Sequence, residues 1–325
     1  MKVIKIGLIG CGTVTIKAHI PALMNDPTAR ISAHNFQITA ICGLDPANLE
    51  TIKSLLLQAE VFLDHRDLLA KADCEAVLIA TGEEQHPLIC RHALEAGKFV
   101  LCEKPLGVNV PAIEAELGDL EAKQKNRLQI AFNKRFHPVY LKYRELRANG
   151  DFGTPVCGHF YFCTQQGKKP GWDGALSNLI HYCDLVSSIF GDIVEVRSLS
   201  GSISNGLTVS AALRSRDGAV ASLLFTSAAS WSASLHEEWQ LVDNERNRIV
   251  SRNCAETYLF RHEEESIHTS NSNSIFWLRD AGGYKTQLSS FYDLASGARE
   301  IPDVGLDDAL RAHALFDLIR AQNEK

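Results

Sequence analysis

No apolar run in this 325-residue chain approaches the roughly 20 residues that a membrane-spanning helix needs. No block of like charge appears either; the formal net charge of −6 is spread along the chain, which argues against nucleic acid or an anionic membrane as the main partner. The nine cysteines are odd in number and hold no C-x-x-C pair. That favours buried thiols in a reducing cytoplasm over a disulfide framework. The twelve histidines show no zinc-ligand spacing, so no metal is expected. Internal repeats and low-complexity tracts are absent as well. What is present is ordinary globular composition, 45% hydrophobic and 22% charged, with a length that suggests about two domains.

The first residues form a short apolar run, Val3 to Ile9, that enters a glycine turn without a cleavage site. They read as a buried strand, not a signal peptide. Further apolar runs at Phe36–Leu44, Cys74–Ala80, Phe99–Cys102 and Leu128–Phe132 alternate with helical patterns at Pro46–Ala59, Arg66–Ala70, Pro87–Ala96 and Asn109–Lys125. Near-continuous apolar strands alternating with helices predict a parallel sheet covered on both faces. After about residue 135 the pattern changes. A helix at Val139–Ala148, a strand at Pro155–Cys163 and a long helix at Ala175–Phe190 precede five alternating strands between Val194 and Ser251, with turns at Asp217-Gly218 and Asp243-Asn244. These predict a mostly antiparallel sheet. Arg261–Ser274 reads as a surface loop, and Asp307–Gln322 as a terminal helix with an apolar stripe. The division expected is residues 1–132 as a dinucleotide-binding domain and 133–325 as a substrate and oligomerisation domain.

Gly10-Cys11-Gly12-Thr13-Val14-Thr15 lies between the first strand and a helix, the context of a dinucleotide-binding turn. Gly10 permits the tight turn, and Gly12 with the amides of Thr13 and Val14 can approach a pyrophosphate. The third fingerprint position is Thr15, not glycine or alanine. The second strand ends at Gly43, where a ribose-binding carboxylate is expected. Asp45, two residues on, either reaches the ribose or caps the helix that starts at Pro46. No arginine follows to receive a 2′-phosphate, so NAD or NADP both remain, with NAD favoured. Glu103-Lys104-Pro105 follows a strand directly and holds one ammonium group on a stiff, extended segment. Asn178, His181 and Asp184 share a helical face.

Together with His19, Ala80-Thr81-Gly82, His86, Ala93-Leu94-Glu95-Ala96-Gly97-Lys98 and Asn133-Lys134-Arg135-Phe136, these motifs resemble the glucose–fructose oxidoreductase / inositol dehydrogenase (Gfo/Idh/MocA) family. The resemblance implies an N-terminal Rossmann domain. It also implies a C-terminal α+β domain with a large open sheet, in a homodimer or homotetramer. It further implies that Lys104 and His181 are catalytic, facing a sugar or cyclitol substrate and the nicotinamide. The chemistry agrees: alcohol oxidation needs a base for the departing proton, which a neutral imidazole supplies, and an ammonium stabilises the developing alkoxide. Where the family usually carries aspartate four residues before the histidine, this chain has Ser177, with Asn178 next, so Asn178 would orient a substrate hydroxyl or the imidazole. Thr81, His86 and Glu103 are cofactor-side candidates. Arg135 contacts substrate hydroxyls or forms a structural ion pair. Trp172 stacks on a sugar ring or closes the core, with Trp277 and Tyr284 weaker candidates of that kind. The expected activity is hydride transfer between NAD(P) and a secondary alcohol or ketone of a sugar, sugar derivative or cyclitol. The rival readings are a non-catalytic dinucleotide sensor and a reductase of a non-sugar ligand such as a tetrapyrrole.

Overall fold

The computed structural model describes residues 2–24, 35–165, 169–203, 206–229, 236–253, 256–261, 264–269 and 283–323. It divides into two compact units, Met1–Asn133 with Trp277–Leu310, and Lys134–Phe276 with Arg311–Lys325. The first unit is built on six strands: β1 (Ile4–Ile9), β2 (Phe36–Cys42), β3 (Glu60–Phe62), β4 (Ala76–Ile79), β5 (Phe99–Cys102) and β6 (Leu128–Ile130). They lie in the order β3-β2-β1-β4-β5-β6, every pair parallel. This is the doubly wound dinucleotide-binding order, with a crevice at the carboxyl ends where the order reverses between β1 and β4. Burial explains the near-continuous apolar runs, since β4 and β6 are buried at every residue.

Local sequence sets the helix starts. Asp64 accepts from the Arg66 amide at the head of His65–Lys71, and Asn109 accepts from the Ala112 amide at the head of Val110–Leu117. The single helix expected over 109–125 is instead two. Val110–Leu117 ends at Gly118, and Ala122–Lys125 restarts on a capping box between Glu121 and Gln124. A helix absent from the sequence reading, Tyr284–Ser296, starts and ends at the left-handed glycines Gly283 and Gly297. Its Leu288, Phe291, Leu294 and Ala295 join Ile4, Ile6 and Leu8 in one core. The Tyr292 hydroxyl donates to the Lys2 carbonyl at 2.7 Å, and the Gln129 side chain donates to the Gln287 carbonyl at 3.2 Å.

The second unit carries eight strands: β7 (Pro155–Gln165), β8 (Ile193–Ile203), β9 (Gly206–Ser215), β10 (Val220–Ala229), β11 (His236–Asp243), β12 (Arg248–Arg252), β13 (Glu256–Arg261) and β14 (Glu264–Thr269). Their order is β14-β13-β12-β11-β7-β10-β9-β8. Only the β7–β10 pair is parallel, so the sheet is mostly antiparallel, as the alternation predicts. The Asp217-Gly218 signal forms the β9–β10 turn, with Gly218 at φ 89°. Residues 264–269, expected in a surface loop, instead pair with β13, so backbone pairing outweighs their polar composition. The helix Gly171–Phe190 packs on β7 to β10 and begins one turn earlier than its apolar pattern suggests. Phe162 of β7 and Tyr182 of this helix meet at 4.6 Å between ring centroids. No helix of the described residues is long and apolar enough to cross a membrane, and none of their groups of His, Cys, Asp or Glu forms a metal-binding cluster.

Candidate active site

The glycine loop follows β1 into a helical run over residues 13–23, of which Thr15–His19 is wound as a π-helix. Gly10 sits at φ 101°, and a Cβ there would lie 2.3 Å from the Ala80 carbonyl oxygen, so only glycine fits this crossing of β1 and β4. The space beside Gly12 is open, with no atom within 4 Å of where its Cβ would be. Thr15, at the position where a third glycine is usual, is fully buried, and its hydroxyl donates to the Gly10 carbonyl at 2.6 Å. It braces the loop from inside. Thr13 and Val14 open the helix on the same loop. Backbone that approaches closely, open space over Gly12 and a helix start together suit the phosphates of a dinucleotide.

Beyond β2, Asp45 caps the helix Pro46–Leu55. Its Oδ1 accepts from the amides of Ala47 at 2.9 Å and Asn48 at 3.0 Å. Of the two roles open to Asp45, the cap is the one the geometry holds. Gly43 faces Cys11, whose Cβ and Sγ would each be 2.9 Å from a Cβ at residue 43. The Cys11 thiol donates to the Cys42 carbonyl at 3.4 Å, and burial pushes it up to about 11.

Glu103 ends β5 almost fully buried. Its Oε1 lies 2.6 Å from His19 Nε2, and its Oε2 accepts from the Lys104 amide at 3.1 Å. Burial alone would raise this carboxyl, but the hydrogen bond and charge of His19, then the charge of Lys104, hold it below the ordinary carboxylate range. Both oxygens are thus engaged inside the protein. Glu103 anchors the backbone of Lys104 to the first helix. Lys104 itself is half-buried, and the Lys104–Pro105 peptide is cis. Next to it, His86 Nδ1 faces the Pro105 carbonyl at 2.7 Å, and Nε2 faces the Thr81 carbonyl at 3.1 Å. Both partners only accept, so a neutral ring donates to one at a time. Burial lowers its basicity despite the two carbonyls. His86 ties the end of β4 to the turn after β5. Tyr284 packs edge-on to His19 at 5.5 Å and lies partly buried against the core.

In the second unit, His181 is nearly buried on the helix Gly171–Phe190, and Asn178 lies one turn before it, half-buried. Ser177 donates back to the Gly174 carbonyl at 3.1 Å. Asp184, one turn after His181, is fully buried and receives both arms of Arg135, Nε at 2.8 Å and Nη2 at 2.5 Å. The bidentate geometry answers the question left open for Arg135: its guanidinium is in a structural ion pair. Trp172 starts the same helix and meets Phe316 edge-on at 5.9 Å. Trp277 lies outside the described residues. Sequence reasoning missed a second buried pair. Lys134 is ion-paired with Glu237, with the ammonium 5.4 Å from the Phe162 ring centroid and 5.3 Å from that of Tyr182. The Tyr140 hydroxyl donates to the other Glu237 oxygen at 3.1 Å. Burial opposes the Glu237 charge, but Lys134 overcomes it and holds the carboxyl at about 2. The only sequence signal was one acidic residue at an inward position of β11.

Residues 4–132 match a family described as "Oxidoreductase family, NAD-binding Rossmann fold", GFO_IDH_MocA. This match lies within the first unit. The resemblance carried by Gly10-Cys11-Gly12 and Glu103-Lys104-Pro105 is thereby borne out. The chain is 28% identical over 209 residues to an inositol 2-dehydrogenase of Acidothermus cellulolyticus, covering 61% of this chain and 57% of that protein. It therefore spans little more than half the length of this curated relative. Among solved structures, a dehydrogenase from Chromobacterium violaceum superposes with a TM-score of 0.86 at 18% identity, over 99% of this chain and 96% of that one. An oxidoreductase from Agrobacterium radiobacter, solved in complex with NAD+, L-tartaric acid and magnesium, superposes with a TM-score of 0.81 at 18% identity, with 99% and 96% covered. These likenesses show that the two-unit fold extends over the whole chain.

Within this family frame, the carboxyl ends of β1, β2, β4 and β5 bring Gly10, Gly12, Thr13, Val14, Asp45, Thr81, His86, Glu103 and Lys104 to one end of the first sheet. The second unit's candidates gather on one helix: Trp172, Asn178 and His181, with Arg135 bound to it through Asp184.

Proposed function

We propose that this protein is an NAD(P)-dependent oxidoreductase acting on a secondary alcohol or ketone of a sugar, sugar derivative or cyclitol. The observation that carries the reading is the Gly10–Gly12 loop at the switch point of a 3-2-1-4-5-6 sheet, in a unit of an NAD-binding oxidoreductase family. The similarity to an inositol 2-dehydrogenase supports a polyol substrate.

A bound nicotinamide supplies the hydride acceptor or donor. The chain's residues do the rest. The loop amides after Gly10 and Gly12 hold the pyrophosphate, with Thr15 keeping the loop in shape. Lys104 polarises the substrate oxygen, its backbone anchored by Glu103 and the following turn held by His86. His181 accepts the hydroxyl proton when the alcohol is oxidised and returns it when the ketone is reduced. Asn178, on the same helical face, orients a substrate hydroxyl or the imidazole. Ser177 is turned into its own helix, which leaves Asn178 as the polar neighbour available to that task.

The test is the change in reduced-nicotinamide absorbance during a screen of polyols, sugar phosphates and nucleotide sugars with both cofactors. Turnover with at least one polyol supports the reading. Tight dinucleotide binding without turnover of any of them would instead mark a regulatory sensor.

A further inference from the structure

Gly43 stands where the second strand of a dinucleotide-binding unit ordinarily presents the carboxylate that grips the adenosine ribose. The structure gives a steric reason for its being glycine. A Cβ at residue 43 would lie 2.9 Å from both Cβ and Sγ of Cys11 and 3.3 Å from a methyl of Leu49. Cys11 cannot step aside freely. It is the middle residue of the Gly10-Cys11-Gly12 turn, it is buried, and its thiol is bonded to the Cys42 carbonyl. The next carboxylate along the chain, Asp45, is engaged with two helix amides, and Asp64, beyond β3, caps its own helix. Leu44 between them is 85% exposed and uncharged.

We propose that Cys11 and Gly43 form a matched pair that sets cofactor choice: the Cys11 side chain fills the space a residue-43 side chain would need. The adenosine-ribose site is therefore left without a carboxylate to hold the hydroxyls or repel a 2′-phosphate. NADH and NADPH then bind with similar affinity. This inference rests on the dinucleotide reading above and names the residues that tune it.

The experiment combines melting temperatures of the cofactor-free protein with dissociation constants for NADH and NADPH, read from nicotinamide fluorescence. The variants are Cys11→Gly, Gly43→Ala and Gly43→Asp, with each residue-43 change also made in the Cys11→Gly background. In the wild type the two affinities should agree within about threefold, a difference under 1 kcal/mol. Gly43→Ala should lower the melting temperature in the wild-type background, because overpacking beside a fixed loop is costly, and should cost much less once Cys11 is glycine. Gly43→Asp in the Cys11→Gly background should favour NADH by about tenfold or more, through hydroxyl hydrogen bonds gained and phosphate repulsion imposed. Equal cost of Gly43→Ala in both backgrounds would overturn the matched pair, and this arm needs no cofactor. A wild-type preference beyond about tenfold for either cofactor would overturn the charge-blind ribose site. Binding of neither cofactor would refute the dinucleotide reading and the selectivity with it, while the melting temperatures judge the packing separately.

Discussion

At the carboxyl end of the first sheet, two acidic side chains serve the protein's own backbone. Asp45 caps a helix and Glu103 anchors the Lys104 amide to His19. Replacing Asp45 with alanine should therefore lower stability by about 1 kcal/mol, the usual worth of such a cap, with the NADH-to-NADPH affinity ratio unchanged. Denaturant unfolding and cofactor titration check the two halves. His313 belongs to the same scale. It is fully buried, neither ring nitrogen has a partner among the described residues, and burial pushes the ring down to about 4. His137 is also lowered to about 4, by burial above all, with Glu237 opposing and Lys134 adding to the fall. Both folded values lie below the unfolded value of about 6.5. The unfolded chain therefore takes up protons first as pH falls, and stability drops between about pH 6.5 and 4. His313→Leu should raise the melting temperature at pH 5 more than at pH 7. An equal rise at both would show that the imidazole is not held neutral. The candidate residues stood out in the sequence where spacing exposes them, as at Gly10, Gly12, Lys104 and His181. Their partners were not, because Glu103 meets His19 across 84 positions and Lys134 meets Glu237 across 103.

At the scale of elements, the long helix Gly171–Phe190 is stitched to the Asn133–Phe136 turn by the Arg135–Asp184 fork. Because Asp184 is fully buried, removing its partner leaves an uncompensated charge. Arg135→Met should cost about 3–5 kcal/mol, and adding Asp184→Leu should restore much of it. A double-mutant cycle in denaturant measures that coupling. A near-zero coupling would mean the fork is incidental. The strands of the first sheet were readable because each is a buried apolar run. The helix Tyr284–Ser296 also carried its signal, with Leu288, Phe291, Tyr292 and Ala295 at helical spacing, but it follows a polar, serine-rich stretch that masked it. β14 had no such signal. Its polar residues pair because β13 offers an edge, a fact local composition does not hold.

For the whole molecule, the sequence pattern changes near residue 135, and the chain leaves the first unit after Asn133. The return of Trp277–Leu310 to that unit depends on tertiary contacts such as Tyr292 with Lys2, 290 positions apart, which no local pattern encodes. The central proposal is that Lys104 and His181 perform the proton and charge chemistry of a dinucleotide-dependent alcohol oxidation. It is tested most directly by turnover of Lys104→Ala and His181→Ala, measured beside their dinucleotide affinities on the polyol that the wild type accepts. Loss of the ammonium should lower kcat by about 10²–10³-fold. Loss of the imidazole should lower it by about 10²–10⁴-fold. In both variants the dissociation constant for the dinucleotide should stay within about twofold, because the phosphate contacts lie on the glycine loop. Wild-type turnover in Lys104→Ala would contradict the account.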